Sequence, residues 1–277
     1  MRTWGIAAAI GALVGLLLGL RFGLGAGLAI GLSATLALGW GLGRRARRRR
    51  ALAKEPFPGE WRAVLAEAVG YYGDLDETDK ARFEREVRFF VDEQVITGPR
   101  GAEVADELKV LVAASAVVVA FGRHGYRYPR SRDIVIYERS FDEDYQAGGN
   151  ILGMVHGQGP ILFSAASLRQ GFRGENDGSN VGYHEFAHVL DFDQGRADGV
   201  PGFMPWATVG PWLKVMHEET AKIGKRRSIL RKYAAKNEAE FFAVATELFF
   251  EQPERMKAKH PDLYELLRAT YGQDPAG

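Results

Sequence analysis

The spacing of hydrophobic positions changes character once along the chain. Residues 3–43 include a single charged residue, Arg21, so an apolar run of 41 positions has no polar face. One membrane-spanning helix needs roughly 20 such positions. The run therefore predicts a transmembrane helical hairpin, about 4–20 and 22–42, with Arg21 and Gly23 at the turn; a single span over 22–42 is the alternative. Trp4 and Trp40 then fall at one membrane interface. From residue 55 onward the apolar positions take helical spacing instead. Helices are expected at about 60–72, from Asp76 onward, and at 103–121, 180–194, 211–223, 237–251 and 261–271. In the second of these Phe83, Val87, Phe90 and Val91 share one face. The run from Val110 to Phe121 is almost wholly apolar, yet its twelve residues are too few to cross a bilayer, which predicts a buried core helix. Ile134–Tyr137 and Ile161–Phe163 are β-branched and aromatic and suit short strands. The expected fold is an anchor over 1–50 followed by one mostly helical α+β domain over 51–277 with a small sheet in its middle.

Glycines at 11, 15, 19, 23, 27 and 31 recur every fourth residue, a small-residue stripe on which two helices can approach closely. The general abundance of glycine in membrane segments accounts for it equally well.

Charge sharpens the division. The formal net charge of +1 is a cancellation: residues 1–50 hold eight arginines and no acidic residue, which leaves a net of −7 for 51–277. Arg44, Arg45 and the four arginines at 47–50 directly follow the apolar run and read as a stop kept on the cytoplasmic side. A cleavable signal peptide would have a shorter apolar core and a small-residue cleavage site. The expected location is the cytoplasmic membrane, with both termini and the folded domain on the cytoplasmic side; the alternative is the cytoplasm itself. A basic run of this kind also suits nucleic acid, but its position beside the span favours anchoring, and no direct nucleic-acid binding is expected. The chain has no cysteine. That excludes disulfides, thiolate metal sites, iron–sulfur clusters and cysteine catalysis, so any metal must be held by His, Asp or Glu.

The candidate chemistry lies in His184-Glu185-Phe186-Ala187-His188. Two histidines four residues apart on a helix present both imidazoles on one face, as a single Zn²⁺ requires. Glu185 is then placed to act as general base toward zinc-bound water. Ser179 and Asn180 are good caps just before the motif, Gly182 leaves room at the first turn, and Gly195 can close the helix. Catalytic zinc usually takes three protein ligands. No further histidine occurs between Leu190 and Arg196, and the remaining histidines, 124, 156, 217 and 260, form no extension of the motif. A carboxylate from a second helix is favoured, the best candidate being Glu240 in the apolar stretch 237–247, with Glu238 and Glu247 as competitors that spacing alone does not separate.

His184 to His188 followed by Leu190-Asp191, then Gly199-Val200-Pro201, Tyr233 and Glu238-Ala239-Glu240-Phe241-Phe242-Ala243-Val244, resemble the glucose-regulated zinc metallopeptidases typified by Mlc titration factor A. That family is similar in structure to the catalytic domain of anthrax lethal factor. The resemblance covers about 55–272, including Pro56, Pro58 and Trp61, the helix at 108–112, and Phe249-Phe250. It implies a zincin-like gluzincin fold in which His184, His188 and Glu240 hold Zn²⁺ and Glu185 is the base. It further implies that Tyr233 stands near the zinc, where its phenol would stabilise the oxyanion; an ordinary half-buried tyrosine is the alternative. Asp191 is placed to accept the outer N–H of a ligating imidazole or simply to cap the helix end. Related enzymes carry an Asp four residues after the glutamate ligand; here that position is Val244. Ile161–Ser164 would offer an edge strand for a peptide, or be structural only. The function implied is hydrolysis of peptide bonds, with aminopeptidase activity and a peptide or protein substrate. The reading from another class is a membrane-tethered binding module that sequesters a transcriptional repressor, Mlc-like by the same resemblance. The hairpin is the main departure from the family's soluble members.

Overall fold

A computed structural model describes residues 2–129, 132–138, 153–155, 159–173, 178–192 and 195–277. The chain divides into two compact units, Met1–Pro56 and Phe57–Gly277.

The first unit is a helical hairpin of α1 (Arg2–Phe22) and α2 (Leu24–Leu52). Both helices are long and apolar enough to cross a membrane. The only break between them is Gly23, whose φ of 93° lies in the left-handed region open to glycine. Phe22 therefore ends the first helix instead of beginning the second, and Arg21 sits in the last turn of α1. The glycine stripe is the packing face. A Cβ on Gly31 would come 2.7 Å from the Gly11 carbonyl oxygen and 2.9 Å from the Gly15 Cα, and one on Gly15 would come 2.9 Å from the Gly27 oxygen. The large side chains Leu13, Leu16, Leu17, Leu28, Leu32 and Leu36 point outward. At the open end Trp4 lies on Gly39, and Arg47 stacks 3.9 Å over the ring of Trp40. The arginine run is not a linker, because α2 continues through it to Leu52.

The second unit begins with α3 (Gly59–Ala68) and α4 (Gly70–Gly73), which extended backbone at Val69 separates where one helix was expected. Next comes α5 (Glu77–Glu93), capped by the Asp76 carboxylate, which accepts from the Asp79 N–H at 2.8 Å. It buries Phe83, Val87 and Phe90. The short strand β1 (Ile96–Thr97) leads into α6 (Asp106–Ala120). Residues 110–120 of α6 are all buried, so the apolar run is indeed a core helix; α3, α5, α7 (Ala165–Arg173) and α8 (Val181–Asp191) pack on it.

Strands β2 (Ile134–Tyr137), β3 (Gly153–Val155) and β4 (Ile161–Ser164) complete a sheet of order β1-β2-β4-β3. The first three in that order run parallel, with Ile134 opposite Ile96 and Ile161. β3 is antiparallel to β4, Gly153 opposite Phe163. Of the two readings of Ile161–Ser164 the structural one holds: the strand is paired on both sides and buried along its length, and β3 is the outer strand beside it among the described residues. The chain then continues through α9 (Trp206–Gly224), α10 (Glu238–Glu251), α11 (Pro253–Lys259) and α12 (Pro261–Tyr271). Pro211, read as a helix start, lies inside α9, which begins five residues earlier on the cap of Pro205. α7, α11, β1 and β3 had no clear signal, being short or poor in apolar spacing. α8 and α10 pack against each other, and their contact brings His184 and His188 beside Glu240.

Candidate metal centre

Two capped helices set the geometry. Asn180 caps α8 by accepting from the Tyr183 N–H at 3.1 Å, and its amide donates to the Gly171 carbonyl at 3.0 Å. Gly182 lets α8 close on α6, since a Cβ there would come 2.7 Å from the Cβ of Ser115. Asn237 caps α10 in the same way, accepting from the Glu240 N–H at 2.9 Å. Each cap fixes a chemically active residue in the first or second turn of its helix.

His184 and His188 stand side by side, their Nε2 atoms 3.1 Å apart. Glu240 Oε2 lies 3.1 Å from Nε2 of His184 and 3.3 Å from Nε2 of His188. These three residues form a group that can hold a metal ion. The competitors separate cleanly: Glu238 is exposed, whereas Glu247 is buried but turned to the other side of His184. Its Oε1 accepts from Nδ1 of His184 at 2.7 Å, its Oε2 accepts from the Asn180 N–H at 2.8 Å, and Arg231 donates to Oε1.

The donor set fits a metal. With its hydrogen on Nδ1, given to Glu247, His184 presents a lone pair at Nε2. That lone pair, Nε2 of His188 and the carboxylate oxygen of Glu240 converge on one point. Oε2 of Glu240 is buried without a hydrogen-bond donor among the described residues. Three acceptors of this kind repel unless a cation lies between them. The electrostatics carry the same demand for positive charge. Burial alone would depress His184, but the close carboxylates of Glu240 and Glu247 outweigh that and push it up to about 10. Burial also acts against ionisation of Glu240, and the two imidazoles overcome it, holding the carboxyl far below the usual range. A proton answers part of this demand; a metal answers all three ligands together.

Glu185 is buried beside this group, and burial pushes its carboxyl up to about 7, His184 opposing the shift and Glu240 adding to it. The edge strand passes directly over it. A Cβ at Gly153 would come 2.6 Å from Glu185 Oε1 and 2.9 Å from its Cγ, so only glycine lets β3 cover the carboxylate. Sequence reasoning missed Gly153, and its only signal was a glycine amid other glycines. Tyr233, which is about half exposed, donates from Oη to Glu240 Oε1 at 3.0 Å. Lys236 donates to Tyr233 Oη at 3.2 Å and lies 3.5 Å from Glu240 Oε1. Burial raises the Tyr233 phenol, and Lys236 opposes it.

Asp191 does not orient an imidazole. Its Oδ2 accepts from the Gly199 N–H at 2.9 Å, and burial pushes its carboxyl up to about 6. Gly199, at φ 72°, is wedged against the backbone of Glu238, and its carbonyl accepts from Trp212 Nε1 at 2.7 Å. Asp191 and Gly199 thus tie the end of α8 to the start of α10. The partner expected where Val244 stands is supplied by Glu247 instead, two turns beyond Glu240. His156 lies outside the described residues.

Comparison with known proteins agrees with this geometry. Over 247 residues the chain is 26% identical to an uncharacterized protein of Synechocystis sp., covering 82% of this chain and 89% of that one. It is 33% identical over 162 residues to Mlc titration factor A of Escherichia fergusonii, covering 52% of this chain and 60% of the relative. The Mlc titration factor A of Escherichia coli K12 matches to the same extent. The model of the family described as glucose-regulated metallo-peptidase M90 matches residues 43–272, a span that holds both capped helices and every residue of the metal group, and the chain belongs to that family.

Proposed function

We propose that this protein is a zinc-dependent peptidase of residues 51–277 tethered to the cytoplasmic membrane by the hairpin and its arginine stop at 44–50. The observation that carries the reading is the convergence of His184, His188 and Glu240 on one point beside a buried carboxylate, Glu185. Nitrogen and oxygen ligands in a set of three suit Zn²⁺ with an open position. When bound, zinc would acidify a water and polarise the scissile carbonyl. Glu185 takes a proton from the attacking water as the new C–O bond forms, and returns it to the departing amine as the C–N bond breaks. Its elevated pKa suits both halves of that transfer. Tyr233, with a rotatable hydroxyl at the mouth of the site, donates to the substrate oxygen that gains charge. The substrate lies along β3, whose outer side pairs with no other strand among the described residues.

Full-length protein in detergent micelles, loaded with one equivalent of zinc, should cleave aminoacyl chromogenic substrates, and Glu185→Gln should not. Equal activity of the two would remove the catalytic reading. A protease added outside intact cells should leave 51–277 whole; digestion would overturn the cytoplasmic placement.

The second reading is a binding module that sequesters a transcriptional repressor at the membrane. It is favoured by the name of the relatives, Mlc titration factor A, of whose length the chain spans 60%. It predicts repressor capture that is indifferent to Glu185→Gln.

A further inference from the structure

The segment that carries Tyr233 into the site is also the most basic stretch of the folded unit. Residues 225–236 contain Lys225, Arg226, Arg227, Arg231, Lys232 and Lys236 and no carboxylate, within a part of the chain whose net charge is −7. All six are exposed. Their engagements differ. Arg231 donates to Glu247 and Ser179, and Lys236 lies against Tyr233 and Glu240. Among the described residues, Lys225, Arg226, Arg227 and Lys232 make no side-chain hydrogen bond or ion pair. Arg226 moreover holds a φ of 56°, a left-handed conformation that glycine or asparagine adopts more readily after a helix. Like charges at this density repel, so folding alone gives no reason to collect them here.

We propose that residues 225–236 form a docking strip for the acidic flank of a peptide, so that preferred substrates carry Asp or Glu beside the scissile bond. This rests on the peptidase reading of the same site. The strip ends on Tyr233 and Lys236, whose Oη and Nζ touch or approach the ligand carboxylate Glu240. Its C-terminal end therefore stands at the metal centre. A base such as Glu185 serves an amide bond, which favours a peptide over a phosphate backbone or a lipid headgroup. Lys236 has three N–H donors, and its two partners here leave one for a substrate carboxylate. Because the rest of the unit is net negative, an acidic peptide is repelled elsewhere and drawn to this strip.

The test uses zinc-loaded full-length protein in uncharged detergent and peptides of one length whose flanks are Asp/Glu, Asn/Gln or Lys/Arg. At low salt, kcat/KM for the acidic set should exceed that for the neutral set by about tenfold or more. The preference should shrink as salt passes about 0.15 M. The triple variant R226E/R227E/K232E should invert the ratio, while the charge-preserving R226K/R227K/K232R keeps it, which separates lost charge from lost fold. Binding of a fluorescent acidic peptide to Glu185→Gln, read by anisotropy, keeps the two readings apart. Tight acidic-peptide binding without wild-type turnover would sink the peptidase and leave the strip; turnover with no acidic preference would sink the strip. Flotation with phosphatidylglycerol vesicles closes the set: if the reversed-charge triple loses vesicle binding and keeps its peptide preference, the strip faces lipid and the proposal is overturned.

Discussion

Tyr233 donates its hydroxyl hydrogen to Glu240 Oε1, while the other oxygen of the same carboxylate faces the two imidazoles. One carboxylate thus has an outer oxygen held by a phenol and an inner oxygen left for a metal. Tyr233→Phe removes the outer contact without touching the inner one. Zinc stoichiometry should stay at one, KM should move little, and kcat should fall roughly 10²-fold if the phenol serves the developing oxyanion. Loss of zinc in this variant would instead make Tyr233 a support of the ligand.

Glu247 would act on a bound metal through His184. Glu247→Gln keeps the shape but weakens the charge that fixes the imidazole, and it also faces the Asn180 N–H with an amide. Zinc affinity measured by chelator competition should weaken about 10- to 100-fold. An unchanged affinity would show that Nδ1 of His184 needs no carboxylate.

Glycine 153 has no substitute. In Gly153→Ala the new methyl meets Glu185 at under 3 Å, so either β3 or the carboxylate must shift. The expected outcome is full zinc loading with strongly reduced turnover. Wild-type turnover in this variant would mean that β3 does not cover the base.

Removal of the metal should cost stability, because three acceptors then face one another without a cation. A metal that binds only the folded state raises stability, and with it the thermal midpoint, with the logarithm of its concentration over Kd. Chelation should lower the midpoint of wild type and leave Glu240→Ala unchanged, as read by calorimetry.

A separate carboxylate governs stability in acid. Glu84 accepts from Arg62 at 2.6 and 2.8 Å and from the Tyr72 hydroxyl at 2.7 Å. Burial works against its ionisation, but Arg62 and Tyr72 outweigh it and hold the carboxyl below the usual range. A depressed folded pKa adds stability that is complete above the unfolded value, about 4.3, and is lost as pH falls through the folded value. Arg62 is half exposed, so the gain is about 1 kcal/mol. Glu84→Gln should lower stability at pH 7 and lose less than wild type between pH 5 and 3 in urea titrations; parallel curves would refute the assignment.

Much of this was legible in the residues. The hairpin, the core helix at 110–120 and the cap Asn180 all follow from local pattern, because period and cap chemistry act over a few residues. The choice among Glu238, Glu240 and Glu247 does not. Glu240 and Glu247 are two turns apart on the same side of α10, and only the approach of α8 gives one to Nε2 and the other to Nδ1 of His184. Which strand lies outermost is not legible locally for a similar reason. β4 is long and apolar and so visible, whereas β3 is three residues long and defined by its antiparallel partner. Asp191 looked like a partner for an imidazole by helical spacing, but the loop at Gly199 reaches it first.

The single carboxylate of Glu247 closes the first turn of α8, fixes the His184 imidazole and receives a surface arginine. The motif from His184 to His188 is therefore not portable. Grafted onto another helix it would bring two imidazoles and a carboxylate but leave behind the tautomer, the contact at the helix start and the counter-charge, which in this protein are set by one residue some sixty positions away.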